Sequence, residues 1–203
     1  LAERYASLGV LASAADLFLD LEMWDEVVEC YRALGRLSRA ESLVRERLRT
    51  QETPAMWAAL GDLTHDEGGC YERAWVLSGG RYARAKRSLG RRAFQEGKWA
   101  ETVEHLTAAV TISPLMPDVW FLMGMADMAQ EKWTEGLQAF TRVVQQDPDN
   151  GRAWGNLTAC QMKLNDFKHG LHAAKEAVRF LRDNVEMWEN YLTCAARIGR
   201  SSE

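Results

Sequence analysis

Residues 117–150 read PDVWFLMGMADMAQEKWTEGLQAFTRVVQQDPDN, and this stretch decides the fold. Its first half places Trp120 and Gly124 about one helical turn apart, and its second half spaces Phe140 and Val143 in the same way. An Asp-Pro-Asp-Asn turn sequence closes the stretch. The pattern therefore predicts two helices joined by a short connection and followed by a turn.

The same pattern recurs along the chain with a step of 34 residues. Internal repeats of this length are typical of solenoids built from helix pairs. We expect the recurring tryptophans to lie in the core between helices. The step is shared by three series of side chains: Trp120, Trp154 and Trp188; Trp99, Trp133 and Phe167; and Leu89, Met123, Leu157 and Tyr191.

This register divides the chain into repeat units. Full units are predicted at 83–116, 117–150 and 151–184, preceded by a shortened unit at 54–82 in which residues are missing between Asp66 and Tyr71. Residues 1–53 are predicted to be degenerate helical repeats, and 185–203 to hold the first helix of a further, truncated unit. Because the first residue is Leu rather than Met, we interpret the chain as a piece of a longer protein.

The 34-residue step has Trp and then Leu-Gly early, as in Trp57, Leu60 and Gly61, a small residue and an aromatic residue later, and Pro near the end of two successive units, at Pro114 and Pro148. This pattern resembles the tetratricopeptide repeat. The resemblance implies an all-α fold, an α-solenoid of antiparallel helix pairs stacked into a right-handed superhelix. It also implies a non-catalytic scaffold that binds a partner peptide or helix in its concave groove.

Four stretches resemble one family in particular, the tetratricopeptide repeat protein 27 family. They are Leu21–Tyr31, Cys70–Ser78, Ala83–Gly90 and Trp188–Tyr191. This resemblance implies a helper of the assembly or co-chaperone type, associated with biogenesis of the spliceosomal U5 particle and with cell-wall integrity in fungi.

Composition excludes several other classes of protein. Twenty-five basic and 29 acidic residues give a net charge of −4, which excludes a globally basic nucleic-acid coat. No apolar run reaches the roughly 18 residues that span a bilayer, so no membrane is expected as partner. The four cysteines show no CxxC spacing and are expected to be reduced. We therefore expect a cytoplasmic protein, with the nucleus as a second compartment.

The first helix of each unit is expected to line the groove, because the relevant offsets fall on one helical face. The predicted groove changes from basic through apolar to mildly acidic along the chain. We expect it to bind an acidic and apolar peptide segment or helix of a protein. The candidate partner-binding residues are Arg84, Arg87, Arg91, Phe121, Leu122, Met125, Met128, Arg152 and Asn156.

Two features of this groove leave alternatives open. Residues 73–95 contain seven basic residues and no acidic one, so they form a seat for acidic peptide, a solvated face paired with acids of neighbouring helices, or an RNA-binding surface. Nucleic acid is disfavoured because Phe121 and Leu122 interrupt the basic stripe. The apolar strip is either a partner surface or packing between repeats.

Some tetratricopeptide repeats bind the C-terminal carboxylate of heat-shock chaperones with Lys, Asn and Arg side chains at fixed groove positions, and this sequence matches that pattern only in part. Arg87 and Arg91 fit that pattern, but Leu122 replaces an Asn, and Arg152 and Asn156 match by half. No catalytic motif is present, and His169 with His172 supplies only half a metal site. We therefore predict no enzyme activity, no cofactor, no metal and no small-molecule substrate.

Overall fold

The computed structural model describes residues 2–66 and 68–200, which form twelve α-helices and, over those two ranges, no β-strand. The prediction of an all-α fold is confirmed. Residues 1, 67 and 201–203, which fall within the predicted units 1–53, 54–82 and 185–203, lie outside the described part. The helices are α1 (Ala2–Asp20), α2 (Trp24–Ala33), α3 (Leu37–Thr50), α4 (Pro54–Thr64), α5 (Cys70–Leu77), α6 (Ala83–Gln95), α7 (Trp99–Ile112), α8 (Pro117–Ala129), α9 (Trp133–Gln146), α10 (Gly151–Lys163), α11 (Phe167–Phe180) and α12 (Val185–Arg200).

The helices group into two compact units, Leu1–Lys86 and Arg87–Glu203, with the boundary inside α6. Within each unit, helices that follow one another in the chain pack together. Helices two apart also touch, as α2 does with α4 and α10 with α12. This nearest-neighbour packing is that of a stacked helical repeat. The predicted repeat bounds remain a prediction, and the predicted unit 83–116 contains the boundary.

A repeated backbone turn joins the two helices of each pair in the second unit. Glu131 adopts a left-handed conformation with φ of 58°, and the backbone N–H of Lys132 donates to the carbonyl of Asp127. Such a turn satisfies the last carbonyls of α8 and reverses the chain. The next aromatic residue then begins α9. The residues at the left-handed positions of this turn are Gly97, Glu131 and Asn165, two residues before Trp99, Trp133 and Phe167.

Close contact between paired helices depends on a glycine in the first helix of the pair. A Cβ placed on Gly124 in α8 would lie 2.7 Å from the Phe140 ring of α9. Gly90 in α6 receives Leu106 of α7 in the same way. In the next repeat, Thr158 takes the position of Gly124 and Ala174 the position of Phe140. The first helix there carries the larger side chain and the second helix the smaller one, and both residues are fully buried. The side-chain volume that fills the contact is thus divided differently between the two helices of each pair, because a close-packed interior needs the space filled by one or the other.

The recurring tryptophans close the opposite turns. The indole N–H of Trp120 donates to the carbonyl of Pro114, and that of Trp154 to the carbonyl of Pro148, each at 2.8 Å. Trp188 repeats the bond with Arg182 at 2.8 Å. Trp120 and Trp154 are half-buried and pack against the buried clusters, as expected of tryptophans between helices, whereas Trp188 is 44% exposed. The polar edge of the indole fixes the turn, and its apolar body packs on the helices.

The shortened pair α4–α5 in the first unit uses the same glycine contact with a different loop. A Cβ on Gly61 would lie 2.8 Å from the Tyr71 ring. The backbone N–H of Tyr71 donates to the carboxylate of Asp66 at 2.8 Å, which caps the eight-residue helix α5. The buried carboxylate of Asp66 thus holds the start of α5 in place although the connection from α4 is short.

We expect Gly124→Ala to destabilise the second unit by about 1–3 kcal/mol, because the added methyl group overlaps the Phe140 ring. Thermal and denaturant unfolding measure the effect. Gly199→Ala is the matched control, since beyond its own helix backbone no described residue lies within 4 Å of a Cβ placed there. The double variant Gly124→Ala/Phe140→Leu should recover part of the loss. Equal stability of Gly124→Ala and the wild type would contradict the close-contact argument.

Candidate partner-binding surface

The structure places eight of the nine predicted partner-binding residues in the second unit and Arg84 in the first. Six of the eight lie on α8 and α10, and we call them the α8–α10 surface. These six are Phe121, Leu122, Met125, Met128, Arg152 and Asn156. Arg87 and Arg91 lie on the part of α6 that belongs to the same unit.

The apolar side chains of the α8–α10 surface are half-buried. Phe121, Met125 and Met128 pack against the buried cluster around Phe140. Leu122 packs against a neighbouring cluster that contains Leu106. Each side chain therefore supports the core with one side and leaves the other side open. Both alternatives for the apolar strip, packing and partner binding, are compatible with this geometry.

A chain of ring contacts fixes Arg152 above this surface. The rings of Phe121 and Phe140 meet edge to face, with centroids 5.5 Å apart and planes at 76°. The guanidinium carbon of Arg152 lies 5.3 Å from the centroid of the Phe121 ring. An arginine held in this way is attracted by the negative face of the ring. Arg152 is exposed, and no described residue forms an ion pair with it.

Asn156 extends the polar edge of the surface by one helical turn. Its side-chain N–H group lies 3.4 Å from the sulfur of Met125. Within the described ranges its amide oxygen accepts no hydrogen bond. An amide beside an arginine offers both a donor and an acceptor to an incoming backbone.

The three arginines of α6 have different surroundings. Arg84 donates to the carboxylate of Asp62 at 2.7 Å, and that carboxylate also accepts from the Tyr71 hydroxyl at 2.7 Å. Arg91 forms an ion pair with Asp118 of α8. These two pairs correspond to the solvated-face alternative. Arg87 lies 4.0 Å from the sulfur of Met116, and none of the described carboxylates pairs with it.

The rest of the basic segment 73–95 is also paired within the chain. Including Arg84 and Arg91, five of its seven basic side chains form ion pairs. The other three pairs are Arg73 with Glu52 at 3.1 Å, Lys86 with Glu72 at 3.0 Å and Arg92 with Glu96 at 3.0 Å. These pairs correspond to the alternative in which the basic segment is a solvated face paired with acids of the same chain.

One acidic side chain is buried beside the α8–α10 surface. Asp127, at the end of α8, is 4% exposed. Burial raises the pKa of its carboxyl to about 6, against the lowering influence of Lys132 and with a further increase from Glu135. Burial and the nearby Asp127 raise the pKa of the Cys160 thiol to about 12, so this cysteine is unreactive as a nucleophile.

In the described ranges no three His, Cys, Asp or Glu side chains group as metal ligands. No helix among those described has the length and apolar character needed to cross a bilayer. Cys30, Cys70, Cys160 and Cys194 are all buried free thiols.

Sequence reasoning missed the acids that hold Arg84 and Arg91. Asp62 and Asp118 precede or follow their arginines by more than twenty residues, and no local spacing marks them. The signal that was available is the repeat register itself, because first helices of successive units are neighbours. Comparing groove positions between units, rather than within one helix, identifies both pairs.

The sequence profile of the tetratricopeptide repeat matches residues 127–189. Two solved structures share the fold. MamA from Desulfovibrio magneticus RS-1 covers 80% of this chain and 96% of its own at TM-score 0.65 and 16% identity. YrrB, described as a tetratricopeptide repeat protein with an unusual peptide-binding site, covers 82% and 89% at TM-score 0.67 and 16% identity. Residues 127–189 therefore carry the tetratricopeptide repeat pattern, and the chain shares the fold of tetratricopeptide repeat proteins.

Sequence comparison identifies relatives of this chain among larger tetratricopeptide repeat proteins. The tetratricopeptide repeat protein 27 homolog of Dictyostelium discoideum is 41% identical over 130 residues, which is 64% of this chain and 15% of that protein. The Saccharomyces cerevisiae protein named Essential for maintenance of the cell wall protein 1 is 31% identical over 132 residues, 61% of this chain and 14% of that protein. The chain thus resembles the tetratricopeptide repeat protein 27 family and spans about one seventh of the length of these relatives.

Asp127 gives this unit a testable dependence on pH. Because its folded pKa is raised from 3.8 to about 6, the folded state keeps a proton that the unfolded chain has released between these values. Ionisation therefore costs stability as the pH rises, up to about 1–3 kcal/mol above the folded pKa. We expect Asp127→Asn to raise the melting temperature at about pH 7.5 and to change it little at about pH 4.

Asp149→Asn is the matched control, because it removes the same charge from an exposed turn. It should change the melting temperature little at either pH. A gain for Asp127→Asn that is equal at both pH values would show that its cause is not the ionisation of the carboxyl.

Proposed function

We propose that the α8–α10 surface binds a segment of a protein partner that carries apolar side chains and at least one carboxylate. The carboxylate pairs with Arg152, and the apolar side chains cover the open sides of Phe121, Leu122, Met125 and Met128. The chain acts in this proposal as a non-catalytic scaffold, without cofactor or small-molecule substrate.

The position of Arg152 is the observation that carries this proposal. Its guanidinium is exposed, held over the Phe121 ring, and lacks an ion pair within the described residues. A guanidinium recognises a carboxylate through two parallel hydrogen bonds. Because the Phe121 ring already restricts the arginine, less side-chain entropy is lost when a partner binds. Arg87 supplies a second uncompensated cation in the same unit.

The similar proteins support a scaffold of this kind. YrrB is described as having a peptide-binding site, although at 16% identity it shares only the fold. By its resemblance to the tetratricopeptide repeat protein 27 family, we propose that the whole protein is an assembly or co-chaperone-type helper linked to U5 particle biogenesis. We propose the cytoplasm, and the nucleus as second compartment, as the place of this activity.

The RNA-binding alternative has less support. It requires the basic segment 73–95 to offer free cations, and five of its seven basic side chains are held by carboxylates of this chain. Arg84 was predicted to contact the partner, but its pairing with Asp62 leaves it a smaller share of that contact.

The test begins with selection of binders from a random displayed peptide library on the intact chain. We expect enrichment of peptides that combine Asp or Glu with Leu, Ile, Phe or Met. Calorimetric titration then compares the strongest peptide against Arg152→Glu and against Arg179→Glu. Arg179 is the control, because it lies exposed on α11, outside the α8–α10 surface, and already pairs with Glu176 of its own helix.

Charge reversal at Arg152 should weaken the peptide about tenfold or more, since it replaces an attraction with a repulsion. Arg179→Glu should leave the affinity within about twofold. Selected peptides without acidic residues, or equal affinity of both variants for the peptide, would contradict the proposal.

A further inference from the structure

The first unit contains a cavity of about 250 Å³ between α2, α4 and the beginning of α6. Its floor is apolar and made of small side chains: Val28, Ala55 and Ala59. Val28 is 1% exposed and Ala59 is 6% exposed, so this floor is part of the packed interior. The cavity exists because α4 presents alanines on the side that faces α2 and the residues before α6.

The rim of the cavity is acidic. Asp25, Glu26 and Glu29 line it from α2, Arg84 lines it from α6, and Tyr82 lines it just before α6. We call this site the acidic pocket. Three carboxylates against one guanidinium leave it negative, in contrast to the prediction of a basic groove at Arg84.

The single cation of the acidic pocket is already committed. Arg84 donates to Asp62, which lies outside the lining, at 2.7 Å, and it also lies 3.9 Å from the carboxylate of Glu29. Glu29 accepts from Arg32 at 2.8 Å. For Asp25 and Glu26, the described residues provide no ion-pair partner. Burial, followed by the nearby Glu26, raises the pKa of Asp25, with Arg84 acting in the opposite direction. The negative charge at this end of the pocket is thus offset by the through-space attraction of Arg84 but by no ion pair of the described residues.

We propose that the acidic pocket receives a lysine or arginine side chain of a protein partner. The aliphatic stem of that side chain lies on Val28, Ala55 and Ala59, and its charged head pairs with Asp25 and Glu26. Long basic side chains bury their stems on apolar surface while the charge stays at a polar rim, so this pocket matches their two-part chemistry. The charge of the rim selects against acidic segments and nucleic acid.

This proposal uses only residues of the first unit and is independent of the α8–α10 surface. Its ligand has the opposite charge to the ligand of that surface. Failure of one proposal therefore leaves the other intact, and variants in the two units distinguish them.

The test is a titration of the intact, isotope-labelled chain followed by nuclear magnetic resonance. The probes are three capped tripeptides, acetyl-Ala-X-Ala-amide, in which X is arginine, lysine or citrulline. Citrulline has the shape of arginine without its charge. We expect the arginine and lysine probes to shift the amide signals of Ala55, Ala59 and Tyr82, and the citrulline probe to bind at least about fivefold more weakly.

Two kinds of variant locate the binding. Asp25→Asn/Glu26→Gln removes the proposed partners of the cation and should weaken the charged probes about five- to tenfold. Asp16→Asn/Asp20→Asn is the matched control, because it removes two exposed charges from α1 and should leave affinity unchanged. Ala55→Met keeps every charge and fills the cavity, so it should also weaken the probes.

Three results would overturn the proposal. They are equal binding of the citrulline and arginine probes, equal weakening by the α1 control, and full affinity in Ala55→Met. Circular dichroism of each variant shows that the helices are intact. Arg152→Glu, in the second unit, should not change the binding of these probes.

Discussion

The contact between Gly124 and the Phe140 ring is the constraint on which the candidate site depends. Only a residue without Cβ lets the ring sit against the backbone of α8. The ring of Phe140, held in this position, packs edge to face with the ring of Phe121. The guanidinium of Arg152 in turn lies over the Phe121 ring. The close contact between Gly124 and Phe140 in the core thus determines the position of the Arg152 guanidinium on the surface. The same residues that close the helix pair therefore orient the residues that we propose to bind a partner.

The surroundings of an arginine, rather than its position on a helix, decide what it can bind. Arg84, Arg87 and Arg91 follow one another along one helix. The acids that neutralise the first and the third come from different helices, α4 and α8. A guanidinium that already has a carboxylate must give up that bond before it binds another, so its net contribution is small. Local compensation therefore separates cations that a composition count treats as equal.

The sequence predicts the elements of this structure better than it predicts their surface. Aromatic residues at a step of 34 mark the beginnings of α7, α9 and α11, because Trp99, Trp133 and Phe167 follow the same left-handed turn. Phe121, Met125 and Met128 could be assigned to one face because helical periodicity fixes direction along a single helix. The half-burial of Trp120 could not be predicted, since it depends on the carbonyl that its indole finds in the preceding turn.

The acidic pocket was hidden from sequence reasoning for a related reason. An alanine such as Ala55 carries no chemical signal, and it becomes informative only when three helices meet around it. Asp25 and Glu26 begin α2, where acidic residues are expected simply to stabilise the helix N-terminus. The acidic pocket forms because small side chains on α4 face carboxylates on α2 that form no ion pair with a described residue. This arrangement depends on packing between helices, and the periodicity within one helix does not predict it.

The half-buried state of the apolar side chains limits what the α8–α10 surface gains from a partner. Phe121, Met125 and Met128 have already lost part of their contact with water to the core around Phe140. Binding removes only the remainder, and apolar burial stabilises in proportion to the area removed, at about 25 cal/mol per Å². In the proposed complex, such a strip therefore gives moderate affinity, while Arg152 selects the charge of the segment and increases its rate of association. Selectivity on this surface follows from the cation, and the core fixes where that cation stands.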